Sequence, residues 1–325
     1  MRNRLPALAA IALAVAVTAG CASSSDRPLK ITLAALNVRA PAGPASAPAG
    51  PAPAPACHDV TASLRPPAVL PKPGAMPKGS FMARIEAHRY LIAGVDQSTL
   101  LFANFNPMHS RIEGFEIDLL RQVARAIFGN PEAIHLRAIT PAERIPVVQD
   151  GGVDLVADAV TINCARRQQV DFSTAYFDAR QRLLVPSNST AHDFAGLGRR
   201  PICAAVGSTT LQTLQSLHPR PVTYPVPERI DCLVALQQGL VGAISSDDSI
   251  LLGYKAQDPY TKIIGAPLAK EPYGIAINKA HPEFVRFVNG VLARMRADGT
   301  WRRIYNRWFG RLTAIPVTPT ARYER

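Results

Sequence analysis

The sequence has 325 residues, a formal net charge of +12 and a pI near 9.9. A chain this basic could bind nucleic acid, but its Arg and Lys are spread along the sequence, no basic stretch alternates with stacking aromatic residues, and only 6% of residues are aromatic. The composition therefore excludes nucleic acid as a partner, and the charge is assigned to solvated surfaces that attract anionic ligands or an anionic envelope.

The N-terminus has the pattern of an export signal. Residues 1–20 combine a basic start, an apolar stretch and small residues before Cys21, which indicates a signal peptide rather than a membrane span. The sequence Thr-Ala-Gly-Cys at its end matches a lipoprotein processing box, in which Cys21 is acylated and becomes the mature N-terminus. The alternative is an ordinary secretory signal from which Cys21 is removed.

Residues 21–82 are predicted to form a tether. They contain a Pro/Ala/Gly run at 40–56 with too few bulky apolar residues to offset the entropy of ordering. An extended Pro-rich segment advances about 3.1 Å per residue, so this run could hold a domain roughly 50 Å from a membrane. The remaining length, about 230 residues, suits two lobes of roughly 100 residues each.

The rest of the chain alternates strand and helix patterns, which predicts mostly parallel sheets with helices on their faces. The expected elements of the first half are strand 89–95, helix 115–128, strand 134–138, helix 141–149, strand 153–160 and an exit from the first lobe at 181–186. The expected elements of the second half are strand 202–206, helix 209–217, strand 222–225, helix 230–238, strand 241–245, a return crossing at 272–275 and helices 282–298 and 300–309.

The region around Thr161 and Arg166 has the character of a binding site. Thr161 follows the predicted strand 153–160, and Arg166 lies in the next turn. In an open α/β sheet the crevice lies outside the carboxyl ends of the strands, so both side chains can reach a small anion there. Arginine suits a carboxylate because its planar fork stays charged and bonds carboxylates bidentately. The region has no nucleophile–base pair.

The second half offers complementary groups. Ser208 and Thr209 follow a predicted strand and open a predicted helix, whose free N–H groups and dipole favour an anion. Asp247 and Asp248 leave the strand 241–245, where a carboxylate can meet a ligand ammonium. Asp158, inside an apolar strand pattern, has no assigned role.

Several blocks resemble one protein family in the family's order. They are EGFEIDLLRQVARAIFG (113–129), VDFSTAYF (170–177), CAAVGSTTLQTL (203–214), GAISSDDSILLGY (242–254), EPYGIAIN (271–278) and RADGTWRRIYNRWFG (296–310). The blocks resemble the extracellular solute-binding proteins, family 3, of polar-amino-acid ABC importers, especially the glutamate/aspartate/glutamine branch and its actinobacterial lipoproteins. The resemblance implies a type II periplasmic-binding-protein α/β fold, with lobe 1 at 83–186 and 274–311, lobe 2 at 187–273, a two-crossover hinge and a C-terminal tail at 312–325.

The resemblance also implies ligand contacts. The α-carboxylate would be held by Arg166, Thr161 and the N–H of Ala159, with help from Ser208 and Thr209; Asp247 would take the amine, Phe102 would pack on the ligand, and Arg144 and Arg182 would reach its side chain. A guanidinium left unpaired in the cleft would prefer a side-chain carboxylate. We therefore expect glutamate or aspartate to bind more tightly than glutamine or asparagine.

Four cysteines follow Cys21. An even number in an exported chain favours disulfides, and no Cys-x-x-Cys spacing or nearby His suggests a metal. Three pairings are possible, with free thiols as the alternative. Cys203 and Cys232 both fall in the presumed second lobe and should pair, which leaves Cys57 to pair with Cys164.

The predicted function is that of a monomeric, lipid-anchored binding protein on the extracytoplasmic face of the cell membrane. It would deliver a polar amino acid to an ABC permease, without a cofactor or metal. An alternative is a sensor that passes ligand occupancy to a membrane signalling partner. A remote alternative is an enzyme like cyclohexadienyl dehydratase, which shares the fold but needs a general acid/base in the cleft. No His lies inside the family motifs, the nearest being His109 and His135, so no enzymatic activity is expected.

Overall fold

The computed structural model describes residues 57–312 and 318–324. The first elements are α1 (Phe81–His88), β1 (Leu91–Val95), β2 (Ser98–Thr99), β3 (Ala103–Asn106), β4 (Arg111–Glu113), α2 (Phe115–Phe128), β5 (Ile134–Ala138), α3 (Pro146–Gln149), β6 (Leu155–Val156), α4 (Cys164–Arg167), β7 (Asp171–Phe172) and β8 (Phe177–Pro186). They are followed by β9 (Ile202–Ala205), α5 (Thr209–Ser216), β10 (Thr223–Val226), α6 (Asp231–Gln237), β11 (Ala243–Asp247), α7 (Asp248–Gln257), β12 (Thr261–Tyr273), β13 (Ala276–Ile277), α8 (Pro282–Ala297) and α9 (Thr300–Phe309). Among the described residues, no helix is both long and apolar enough to cross a membrane. The predicted signal peptide, Cys21 and the Pro-rich run 40–56 lie outside the described residues.

The first lobe is built on a sheet with the strand order β5-β1-β6-β13-β7. Its first three strands are parallel and β13 runs antiparallel. Helix α2 buries an apolar face that includes Phe115, which packs edge-on against Trp301 and Phe309 of α9. The residue before α2 is Gly114, whose φ is 154° and whose added Cβ would lie 2.1 Å from the Phe102 carbonyl oxygen. A side chain at this position would therefore displace the start of α2.

The second lobe is built on a sheet with the order β10-β9-β11-β8-β12. Strands β10, β9 and β11 are parallel, whereas β8 is antiparallel to both β11 and β12. Residues 177–186 were expected in the first lobe, but β8 pairs on both sides with strands of the second sheet and so belongs to the second lobe. Two α/β lobes are nonetheless present, which confirms the predicted fold class.

The lobes are joined by two crossovers that lie side by side, at residues 173–176 and 274–275. The N–H of Ser173 donates to the carbonyl of Ile275 at 2.9 Å, and the N–H of Tyr176 donates to the carbonyl of Tyr273 at 2.9 Å. These backbone hydrogen bonds tie the outgoing and returning chains together. The two paired segments form the hinge between the lobes.

The predicted tether extends too far along the chain. Residues 57–80 pack on the first lobe: Ser63 is buried and donates to the carbonyl of Phe172 at 2.6 Å, while Asn289 of α8 donates to the Ser63 hydroxyl at 2.8 Å. The predicted C-terminal tail meets this segment, because Tyr323 forms a parallel bridge with Ser63. Both segments are therefore part of the folded first lobe within the described residues.

Two disulfides link the described residues, and they have the predicted pairing. Cys57 is joined to Cys164, 107 residues away, and Cys203 is joined to Cys232, 29 residues away. The first fixes residues 57–80 to the start of α4. The second ties β9 to α6 in the second lobe.

We expect removal of the Cys57–Cys164 disulfide to destabilise the protein more than removal of the Cys203–Cys232 disulfide. In the chain-entropy account, the longer closed loop is worth roughly 4–5 kcal/mol and the shorter one roughly 3–4 kcal/mol. Urea unfolding of the two double-serine variants would measure the difference. An equal or reversed order would show that native-state packing, not loop length, sets the contribution of each bond.

Candidate functional site

A small cavity lies between the two lobes. Among its lining residues are Arg144, Ala159 and Thr161 from the first lobe and Ser208, Thr209, Arg229 and Asp247 from the second. The structure thus brings most of the predicted ligand residues to one place. Their hydrogen bonds decide which of them can contact a ligand.

Arg166 lies on α4 and is not itself among the residues that line this cavity, but it contacts Thr161, which is. The Asn163 side chain caps the helix by accepting the Arg166 N–H at 2.9 Å. The guanidinium is buried and donates to the carbonyl of Thr161 at 2.8 Å and, across the cleft, to the carbonyl of Gly207 at 3.0 Å. Burial, followed by the positive charge of Arg144, lowers the pKa of Arg166 to about 9. Arg166 therefore remains a cation at neutral pH.

Arg144 is occupied by the protein itself. The residue is 2% exposed. It donates to the carbonyls of Pro141 at 2.8 Å, Asp158 at 3.1 Å, Ala159 at 3.2 Å and Gly207 at 3.1 Å. Its Nε also lies 3.8 Å from the Asp158 carboxylate. In this structure Arg144 is thus held by backbone oxygens and lies near Asp158, and its contact with the ligand side chain stays a prediction.

The Ala159 N–H is also engaged. The predicted strand 153–160 is reduced to β6, and Ala159 adopts a φ of +45°. This conformation directs its N–H to the carboxylate of Glu116 at 2.7 Å. Burial, reinforced by the negative charge of Asp158, raises the pKa of Glu116 to about 7. The Ala159 N–H thus has an acceptor inside the first lobe in this structure, and its contact with the ligand carboxylate stays a prediction.

Gly207 brings the second lobe close to the first. It has a φ of +77°, and a Cβ added here would lie 2.6 Å from the Cα of Ala142. The next residue, Ser208, is the N-cap of α5: its hydroxyl accepts the Leu211 N–H at 3.1 Å and donates to the carbonyl of Ala205 at 2.6 Å. Ser208 therefore shapes the start of α5 rather than offering a free hydroxyl.

Asp247 ends β11 at the cavity. Its Oδ2 accepts the Tyr273 hydroxyl at 2.5 Å, whereas its buried Oδ1 has no hydrogen-bond partner among the described residues. Burial, followed by the negative charge of Glu271, raises the pKa of Asp247 to about 8. An unpaired, buried carboxylate oxygen is costly, so this position is suited to a ligand ammonium.

Glu271 was not assigned a role by the sequence analysis, although it begins the EPYGIAIN block. It lies on β12, is 2% exposed, and its Oε2 accepts the hydroxyls of Thr161 at 2.5 Å and Thr209 at 2.7 Å. Those two hydroxyls also lie 3.2 Å apart. A carboxylate of the chain therefore sits between the two threonines that were expected to hold the ligand.

A buried ionic network crosses the cleft beside the cavity. Arg229, just before α6 in the second lobe, lies 2.6 Å from Asp96 and 2.6 Å from Asp158 of the first lobe. Asp96 follows β1 and Asp158 follows β6, which are neighbouring parallel strands, so their carboxyl ends meet at the same edge of the sheet. Burial opposes the charge of Arg229, but Asp158 and Asp96 outweigh it and raise its pKa well above the usual value. Asp158 therefore helps to hold Arg229 of the opposite lobe. Neither Arg229 nor Asp96 was predicted to contribute to the cleft.

Two predicted ligand residues lie elsewhere. Phe102 is fully buried, with Phe115, Phe177 and Phe309 as ring neighbours, so it belongs to the core of the first lobe. Arg182 lies on β8 and donates to the carbonyl of Gly265 at 2.5 Å. Neither is among the residues that line the cavity.

The fold and the polar cavity define a two-lobed protein with a binding cleft for a small molecule. The family model for bacterial extracellular solute-binding proteins, family 3, matches residues 91–311. The chain belongs to this family.

Relatives and solved structures agree with this assignment. The ABC transporter glutamine-binding protein GlnH of Bacillus subtilis (strain 168) is 32% identical over 232 residues, covering 71% of this chain and 85% of that one. The glutamate/aspartate import solute-binding protein of Escherichia coli (strain K12) is 25% identical over 244 residues, covering 71% and 80%. The L-cysteine solute receptor of Neisseria gonorrhoeae shares the fold, with a TM-score of 0.69 at 22% identity over 73% of this chain and 97% of that one. An ancestral arginine-binding protein bound to glutamine has a TM-score of 0.63 at 29% identity, covering 68% and 98%. These relatives are named as binding proteins and not as enzymes.

Proposed function

We propose that the cleft captures a polar amino acid of the glutamine/glutamate class and that the protein delivers it to the membrane permease of an ABC importer. The observation that carries the proposal is the meeting of two kinds of group at one interlobe cavity. Arg166 and the hydroxyls of Thr161 and Thr209 suit an α-carboxylate. Asp247 has a free carboxylate oxygen that suits the α-ammonium. An amino acid would thus contact both lobes at once.

The names of the relatives support the ligand class and the transport role. The export pattern at residues 1–20 supports a place on the extracytoplasmic face of the cell membrane, with Cys21 as the lipid anchor. The protein is proposed to act as a monomer. Calorimetry of the full chain against each of the twenty amino acids tests the proposed ligand class. We expect heat only from polar amino acids, and a complete lack of binding would refute the proposal.

The charges of the cleft favour an amide ligand over an acidic one. Three guanidiniums, those of Arg144, Arg166 and Arg229, face four carboxylates, those of Asp96, Asp158, Asp247 and Glu271. Asp247, whose pKa is raised to about 8, ionises when a ligand ammonium binds, and with every group ionised the cluster carries an excess of one negative charge. The expectation of a glutamate or aspartate preference assumed a spare cation, which the contacts of Arg144 remove. An additional ligand carboxylate would meet like charge in a buried site.

We expect glutamine to bind at least about tenfold more tightly than glutamate, a difference of about 1.4 kcal/mol. Calorimetry at neutral pH measures both affinities. Asp158→Asn removes one negative charge and should reduce the ratio of the glutamine affinity to the glutamate affinity. Arg182→Met, outside the cavity, should leave this ratio unchanged. Glutamate binding as tightly as glutamine would show that the cleft neutralises a second ligand carboxylate.

A further inference from the structure

Glu271 accepts hydrogen bonds from the same two hydroxyls that are proposed to bind the ligand carboxylate. Its Oε2 accepts from Thr161 of the first lobe and from Thr209 of the second. Each hydroxyl has a single hydrogen to donate. A ligand carboxylate and Glu271 therefore cannot both accept from these hydroxyls at the same time.

The surroundings of Glu271 also match a carboxylate subsite. Arg166 donates to the carbonyl of Thr161, the residue whose hydroxyl contacts Glu271. Burial raises the pKa of Glu271, whereas the hydrogen bonds from Thr161 and Thr209 and the positive charge of Arg166 favour its ionised form. The Asp247 carboxylate is near enough for the negative charge of Glu271 to act on it. Two threonine hydroxyls thus hold a carboxylate of β12, and the positive charge of Arg166 acts on it.

We propose that Glu271 is an internal competitor for the α-carboxylate of the ligand and thereby sets the affinity of the cleft. The inference rests on the proposed function. An incoming amino acid displaces Glu271 from Thr161 and Thr209 and takes over the bridge between the lobes. Because two carboxylates in one site repel each other, the displaced side chain must leave the subsite.

Glu271→Gln is the variant that tests this proposal. The substitution keeps the shape of the side chain and an acceptor oxygen but removes the charge. A hydrogen bond to an ionised acceptor is roughly twice as strong as one to a neutral acceptor, so the competitor is weakened. We expect the variant to bind L-glutamine about tenfold more tightly than the unaltered protein, which corresponds to about 1.4 kcal/mol. Glu271→Ala, which removes the acceptor altogether, should bind at least as tightly as Glu271→Gln.

The matched control is Asp178→Asn. Asp178 is an exposed carboxylate on β8, paired in register with Pro272, the residue after Glu271. The control removes one negative charge from β8, the strand beside β12, without changing the surroundings of either threonine. It should leave the affinity for L-glutamine unchanged. Calorimetry of the full chain and its variants with L-glutamine provides the measurement.

The outcomes separate the two proposals. Tighter binding in both Glu271 variants but not in Asp178→Asn supports competition by Glu271. Weaker binding in Glu271→Gln would mean that Glu271 pairs with the ligand ammonium, and unchanged binding would mean that it does not share a subsite with the ligand; either result overturns the inference and leaves the proposed function intact. If neither the unaltered protein nor its variants bind any amino acid, the proposed function itself fails.

Discussion

Replacing Arg229 with methionine is expected to lower the free energy of unfolding by about 3–5 kcal/mol and to separate the two lobes. Arg229 is 5% exposed and pairs with Asp96 and Asp158, each of which is 1% exposed. Without the guanidinium, two buried carboxylates remain with no cation of the second lobe beside them. Opening the cleft would hydrate both carboxylates, so the loss should appear as lobe separation as well as reduced stability.

Urea unfolding gives the free energy, and small-angle scattering gives the radius of gyration. The matched control is Arg199→Met, an exposed arginine on the second lobe, which should change neither quantity. A triple variant with Asp96→Asn, Asp158→Asn and Arg229→Met should recover much of the lost stability, because it removes the uncompensated charges. An Arg229→Met protein with the stability and dimensions of the unaltered chain would show that the network contributes nothing to closure.

The elements that the sequence predicts best have strong local signals. Helix α2, strand β5 and helix α9 match their predicted limits. Helix α2 has an apolar face of helical period and ends at Gly129, whose φ is +77°, a common helix end. Strand β8 was placed in the wrong lobe because pairing with β11 and β12 depends on the path of the whole chain, which local patterning does not encode.

The cleft was only partly predictable, because its contacts also depend on the path of the whole chain. Thr161, Thr209 and Asp247 stand at strand ends or helix starts, positions that sequence patterns indicate, and the structure places them along one cavity. Glu271 reaches Thr161 from 110 residues away, and Arg229 reaches Asp96 across 133 residues. No local pattern marks such partners.

The contacts that Arg144 and Ala159 make in the structure were not predictable for a different reason. Their positions were identified correctly as part of the cleft, but the bend at Ala159 sends its N–H to Glu116 and brings two carbonyls to Arg144. A positive φ at an alanine is unfavourable and has no sequence signal comparable to a glycine. The orientation of the backbone at Ala159 thus determines the acceptors of the Ala159 N–H and of the Arg144 guanidinium.

Substitution of Arg166 or Asp247 by alanine is expected to abolish measurable amino-acid binding. Under the proposed function, Arg166 faces the α-carboxylate and Asp247 the α-ammonium. Truncating one partner of a buried charge pair costs about 3–5 kcal/mol, and a micromolar complex holds only about 8 kcal/mol. The remaining free energy of about 3–5 kcal/mol corresponds to a dissociation constant of roughly 0.2 to 6 mM.

Asp247 is the more informative of the two positions. Its pKa is raised to about 8, so at neutral pH it is largely protonated before a ligand ammonium arrives, and binding of the ammonium should release a proton. Calorimetry in buffers of different ionisation enthalpy detects that release, and Asp247→Asn should eliminate it together with the binding. Arg182→Ala is the control for Arg166→Ala, because Arg182 contacts Gly265 and not the cavity. Full affinity in Arg166→Ala or Asp247→Ala would show that the ligand does not bind in this cleft.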